Sequence, residues 1–122
     1  MSRECEILKA ASTIAVLGMS PKPHRTSHAI ALAMRAHNYR IIPVNPGHER
    51  ILDLECFPNL AALEEPVEIV NVFRSASHQH DVARDVLAMK HKPLAVWFQL
   101  NAGGDDVQQE IEAAGIACFV DS

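Results

Sequence analysis

The sequence predicts an α/β fold in which a parallel sheet is covered by helices on both faces. Three observations carry this. Short apolar runs, TIAVL, RIIPV, EIVNVF, LAVWF and IACFV, alternate with longer segments whose apolar residues recur at helical spacing. The runs are nearly continuous, as in strands covered on both sides, and lack the polar alternation of a half-wet sheet. Helix-stopping residues, Asn38, Pro93 and Gly115, stand between the helical segments and the strands that follow them.

In chain order, the first strand is Thr13 to Leu17. Thr26 or Ser27 caps a helix through Ala29, Ile30, Ala33, Met34 and His37, with Asn38 suited to its end. The second strand is Arg40 to Val44, and its Pro43, which cannot donate to a ladder, is expected at the last paired position. Residues 47 to 58 are less regular, with a short strand around Glu55 to Phe57, and a one-turn helix follows around Leu60 to Leu63. Glu68 to Phe73 is a strand of the continuous apolar kind. Ser77 opens a helix carrying Val82, Val86, Leu87 and Met89, and Leu94 to Phe98 is the strand after it. A last helix starts at Asp105 or Asp106, bears Val107, Ile111 and Ala114, and stops at Gly115 before the strand Ile116 to Val120. Five strands and about four helices account for the chain. With right-handed crossovers this is a Rossmann-like half fold, expected in the order 3-2-1-4-5.

Length and charge bound the function. The 122 residues fit one domain, expected to span 1–122, and 48% apolar with 21% charged residues is the composition of a globular protein with a packed core. A net charge of −4 argues against broad nucleic-acid binding, which needs a basic face to displace counterions. No apolar run reaches the ~20 residues of a membrane-spanning helix. Cys5, Cys56 and Cys118 show no CxxC spacing, so neither a disulfide framework nor a zinc ribbon is expected. Glu4 and Glu6 spoil the basic start of a signal peptide, and Pro-Lys-Pro replaces a cleavage site, so the expected location is cytoplasmic.

Open α/β sheets bind ligands beyond the carboxyl ends of their strands, where the strand order reverses. Aimed there are Gly18 to Ser27, Asn45 to His48, Phe73 to Ser77 and Gln99 to Gly104. The first of these loops combines Gly18 for a tight turn, a Ser20 hydroxyl, the stiffening Pro21, the cations Lys22 and Arg25, and free amides at a helix N-terminus near Ser27. Phosphate is the natural guest. A dinucleotide fingerprint fits poorly, because Ser20 and Pro23 occupy the second and third glycine positions of GxGxxG. Val44-Asn45-Pro46 also offers no acid to the ribose of NAD. The bland alternatives are that Arg74 pairs with Asp81 or Glu68, that Phe73 and Trp97 are core, and that Gln99 ties down its own loop.

Together, GMSPKPHRTS, IIPVNP, IVNVFR and AVWFQL resemble the coenzyme A-binding domain proteins, stand-alone relatives of the nucleotide-binding domain in the α subunit of succinyl-CoA synthetase. The resemblance runs from about Ala11 to Asp121. It implies coenzyme A or an acyl-CoA lying at the carboxyl ends of strands one, two and four. Gly18, Ser20, Lys22 and Arg25 would sit near the pyrophosphate, with Pro21 and Ser27 in the same loop. Asn45 and Pro46 would border the adenosine, Phe73, Arg74 and Ser75 would lie along the nucleotide on the far side of the crevice, and Gln99 with Trp97 would close the end of the fifth strand. Two departures stand out: Asp53 occupies a place where a glycine is expected, and Asp121-Ser122 stand where relatives often continue with Arg-Cys.

No catalytic constellation is expected within the chain. The seven histidines are scattered, no serine sits in a nucleophile elbow, and Cys56 has no evident base beside it, so neither a metal nor a self-contained reaction is expected. The phosphorylated histidine of the synthetase belongs to a domain outside this resemblance. Two other classes stay open on the residues alone, a small NAD-dependent or other nucleotide-using enzyme and an interaction protein without a ligand; so do a protein partner and the oligomeric state.

Overall fold

A computed structural model describes residues 2–99 and 105–120. It has a wholly parallel sheet made from β1 (Thr13–Leu17), β2 (Arg40–Val44), β5 (Ile69–Val72), β6 (Ala95–Phe98) and β7 (Ala117–Val120), in the order β2-β1-β5-β6-β7. Two further strands, β3 (Arg50–Ile51) and β4 (Leu54–Glu55), pair only with each other, antiparallel. The helices are α1 (Arg3–Ala10), α2 (Thr26–Ala36), α3 (Gln79–Leu87) and α4 (Asp105–Ala113).

Strand periodicity sorts the core into two halves. On one face Ala15, Leu17, Val70, Val72, Val96 and Phe98 pack under α3 and α4 through Val82, Val86, Val107 and Ile111. On the other, Ile14, Val16, Ile41 and Ile69 pack under Ala31 and Met34 of α2 and Ile7 and Leu8 of α1. All five residues of β1 are buried, which is why that run reads as continuously apolar.

The expected order 3-2-1-4-5 is corrected here. Among the described residues no third strand joins the outer side of β2; residues 50–55 fold back on themselves as the β3–β4 hairpin, turning through Leu52 at φ +58°, and a parallel bridge between Val44 and Phe57 is the one ladder contact on that edge. The reason lies partly in Pro43. Arg40 donates to Ser12 of the β1 side, and with a period of two the Pro43 nitrogen faces outward, where it has no hydrogen to offer a further strand. Pro43 pairs with Val16 inside β2, and Val44 beyond it still pairs with Leu17, so proline is not the last paired residue.

Two helix starts also differ from expectation. A 3₁₀ turn over Ala76–His78, closed by His78 N–H on the Ser75 carbonyl at 2.9 Å, precedes α3, which begins at Gln79 instead of Ser77. The α2 cap position is Arg25, whose guanidinium has no acceptor to offer the helix amides, and the Ser27 hydroxyl accepts from the Ser20 amide instead. The stops follow the sequence: Asn38 takes φ +73° after α2 and Gly115 takes φ +85° after α4, the left-handed geometry that ends helices.

Helix α1 was not evident in the apolar pattern, since none of its residues is fully buried. Its signals are polar: Ser2 accepts from the Cys5 amide at 3.2 Å, Glu4 and Glu6 lie in the first turn, and Lys9 lies in the last. Tyr39 holds the helix to the sheet by donating to the Leu8 carbonyl at 2.7 Å. Glu68 secures the joint between α1 and β1, its Oε1 accepting from the Ser12 amide at 2.6 Å, the Ser12 hydroxyl at 2.8 Å and the Thr13 amide at 3.1 Å.

Candidate functional site

The strand order reverses between β1 and β5, so the loops leaving their carboxyl ends part and leave a crevice. Gly18 sits at its base. Its amide donates to the Val44 carbonyl at 2.8 Å, while Phe73 donates to the Leu17 carbonyl at 2.8 Å, so the turn is pinned to both neighbouring strands. Gly18 has φ +84°, and a Cβ there would stand 2.9 Å from the Phe73 carbonyl oxygen. The glycine is therefore required twice, by conformation and by the closeness of β5.

Beyond Gly18 the chain is shaped by side chains that reach back to it. The Ser20 amide donates to the Ser27 hydroxyl at 3.0 Å, the ring Nδ1–H of buried His28 donates to the Ser20 carbonyl at 2.9 Å, and Asn45 Nδ2 donates to the Met19 carbonyl at 2.9 Å. The Ser20 hydroxyl accepts from the Lys22 amide at 3.1 Å. Met19 itself is fully buried in the core beneath α2. The peptide groups around Ser20 are thus set before any ligand arrives.

This framework leaves a cleft of about 420 Å³ bordered by Gly18, Ser20, Arg25, Thr26, Ser27 and Phe73, with His24 at its rim. The first amides of α2 lack intrahelical partners and bring the positive end of the helix dipole to the cleft wall. Arg74 lies over Gly18, its Cδ 3.2 Å from where a Cβ would be, and borders a neighbouring cleft of about 410 Å³ with Leu17, His78 and Asp81. Arg74 does not pair with Asp81 or Glu68: Asp81 is engaged by Arg84, and Glu68 by Ser12 and Thr13. Elsewhere Arg35 pairs with Asp53, Arg40 with Glu65 and Lys90 with Glu64. Lys22, Arg25 and Arg74 have no acidic partner among the described residues.

The residues singled out from sequence therefore separate into groups. Gly18, Ser20, Arg25, Ser27 and Phe73 share one cleft, and Arg74 divides it from the next. Pro21 and Lys22 are exposed on the loop that rims it. Asn45 is a strut whose amide is used at both ends, since its Oδ1 also accepts from the Gly47 amide at 3.0 Å. Pro46 borders a separate, wider depression of about 590 Å³ with His48, Arg50, Glu55 and Cys56. The Ser75 hydroxyl bonds to that of Ser77 at 2.9 Å. Gln99 lies on the α2 side of the sheet beside Trp97, and residues 100–104 of its loop lie outside the described residues. Burial pushes the Cys56 thiol above its ordinary pKa, which disfavours a thiolate beside the site. At the position where a glycine was expected, Asp53 follows Leu52 through the hairpin turn, and Arg35 beside its carboxyl holds it below the usual carboxylate range.

His28 was missed in the sequence. Its signal was its place one turn before Ala31 on the buried stripe of α2, where a polar ring must find a partner.

Residues 12–122 match the CoA binding domain family. The chain belongs to that family. It is 34% identical over 116 residues to the uncharacterized protein YneT of Bacillus subtilis, covering 95% of this chain and 84% of that one. Among solved structures, the cell-free ID.343 protein from Thermus thermophilus is 34% identical with a TM-score of 0.91, covering 99% of this chain and 92% of that one. A hypothetical protein from Pyrococcus horikoshii is 27% identical with a TM-score of 0.89, covering 99% and 85%. The fold of this CoA binding domain family member is the Rossmann-like α/β class read from the sequence.

Proposed function

We propose that the protein binds coenzyme A or an acyl-CoA, with the pyrophosphate in the cleft between Gly18, the start of α2 and Phe73. The observation that carries this reading is that Arg25 borders the cleft at the start of α2, Arg74 lies over Gly18 beside it and Lys22 is exposed on the adjoining loop, all three without acidic partners among the described residues, while most other described arginines are engaged by carboxylates. A pyrophosphate needs such donors, and a loop held in advance by Ser27, His28 and Asn45 loses little entropy on receiving it. Membership in the CoA binding domain family supports the same ligand class.

The test is calorimetry with CoA, acetyl-CoA and NAD. At a concentration 100 times Kd, a ligand of the folded state adds about 2.7 kcal/mol of stability. Arg25→Ala and Arg74→Ala are each expected to weaken CoA binding by about 1.5–3 kcal/mol, the range for bonds to a charged group, with the fold intact. Normal binding by both variants, or binding of NAD in preference to CoA, overturns the assignment.

A further inference from the structure

Among the described residues four large apolar side chains are exposed, and two of them stand on one surface. Leu32 is 43% exposed on α2, and Leu52 is 41% exposed at the tip of the β3–β4 hairpin. Arg35 joins the two elements through its pair with Asp53 at 3.2 Å. It lies one turn after Leu32 on the same flank of α2, while Asp53 follows Leu52 in the turn. Beneath this seam Ile51 is buried in the core that α2 covers, and half-buried Leu54 packs against it.

Leu52 is held in an unfavourable backbone. Its φ of +58° lies in the left-handed region, where a leucine is disfavoured; the other non-glycine residue at positive φ among the described residues is Asn38, whose side chain suits that region. Arg50 fixes the turn by donating from Nη2 to the Asp53 carbonyl at 2.6 Å. The strain gains little packing inside the chain, because the side chain that it displays faces water. A strained residue that presents an apolar side chain outward points to contact with another molecule.

The neighbouring charges indicate which molecule. Arg35 and Asp53 remain 43% and 73% exposed although paired, so both signs stand beside the leucines. Such a surface is complementary to itself under a twofold axis, which sets Asp53 of one copy against Arg35 of the other while the leucines meet near the axis. We propose that this α2–hairpin seam is the interface of a symmetric homodimer. Its apolar area is small beside that of an obligate dimer, so the association is weak, with a Kd of about 10–100 µM. None of Leu32, Arg35, Leu52 and Asp53 lines the phosphate cleft, so the dimer stands independently of the CoA reading.

Sedimentation velocity of the full chain between about 1 µM and about 1 mM is expected to show a reversible monomer–dimer equilibrium. Leu52→Gly should weaken the dimer about tenfold or more, while its urea midpoint in dilute solution holds or rises, because glycine accepts φ +58° freely. Arg35→Asp and Asp53→Arg test the partner. Each sets like charges across the axis and should be monomeric alone, and an equimolar mixture should recover a dimer, since the mixture restores both cross pairs. A parent chain that stays monomeric at the highest concentration overturns the inference, as does a dimer that Leu52→Gly leaves unchanged or that the mixture fails to recover. A midpoint that falls in Leu52→Gly would place this side chain in the packing of its own copy and overturns it as well.

Discussion

Gly18→Ala and Gly115→Ala form a matched pair that isolates what the crevice demands of its first residue. Both glycines have nearly the same backbone, φ +84° and +85°, so an alanine at either suffers the same left-handed penalty of about 1–2 kcal/mol. Their surroundings differ. A Cβ at Gly115 meets nothing within 4 Å, whereas one at Gly18 stands 2.9 Å from the Phe73 carbonyl oxygen and 3.2 Å from its carbon. The crowding at Gly18 cannot relax cheaply, because Gly18 is bonded to Val44 on one side and Phe73 to Leu17 on the other. Displacing one of these strands strains a ladder bond, adding about 1 kcal/mol or more, the usual net worth of such a bond. Gly18→Ala should therefore lose about 2–4 kcal/mol and Gly115→Ala about 1–2, measured as urea midpoints at an unchanged m-value. Because Arg74 Cδ is 3.2 Å from the same position, Gly18→Ala should also weaken CoA binding. Equal destabilisation of the two variants would refute the argument that the closeness of β5 selects glycine.

Three further outcomes are expected. Asn45→Asp keeps an acceptor for Gly47 but sets a carboxylate oxygen against the Met19 carbonyl, so it should lose about 1–3 kcal/mol of stability and weaken CoA binding, with equal stability to the parent in urea as the contrary result. At Glu68 burial raises the carboxyl pKa, but the bonds from Ser12 and Thr13 outweigh it and leave a value below the ordinary one. Its stabilisation is thus present above an unfolded pKa of about 4.3 and lost as pH falls through the folded value, so Glu68→Gln should flatten the acid limb of the stability profile, and an unchanged limb would refute this. Of the three thiols, exposed Cys5 alone should react quickly with a bulky disulfide reagent in the native state, since Cys56 and Cys118 are buried and burial with nearby Glu112 pushes Cys118 up to about 11; fast reaction of a second thiol would contradict the packing.

The sequence by itself determined the strands and the helix stops. Continuous apolar runs have no other stable place than a sheet covered on both faces, so β1 and β2 were legible to the residue, and β5, β6 and β7 to within a residue at each end. Gly18 could be singled out because a glycine leaving a strand's carboxyl end signals a tight turn, and Arg25 and Arg74 because cations in such loops suit an anion; that β5 stands against Gly18 could not be read from the sequence. The strand order was not legible either. A hairpin of two-residue strands has no period to read, and whether residues 50–57 extend the sheet depends on the outward nitrogen of Pro43 and on what the edge of β2 can accept. Nor could local pattern tell a ligand contact from a strut. Asn45, Ser27 and His28 are polar residues near the site whose hydrogen bonds turn inward, to the loop that they shape. Which polar atoms are satisfied depends on groups distant in sequence, and those meet only when the chain is folded.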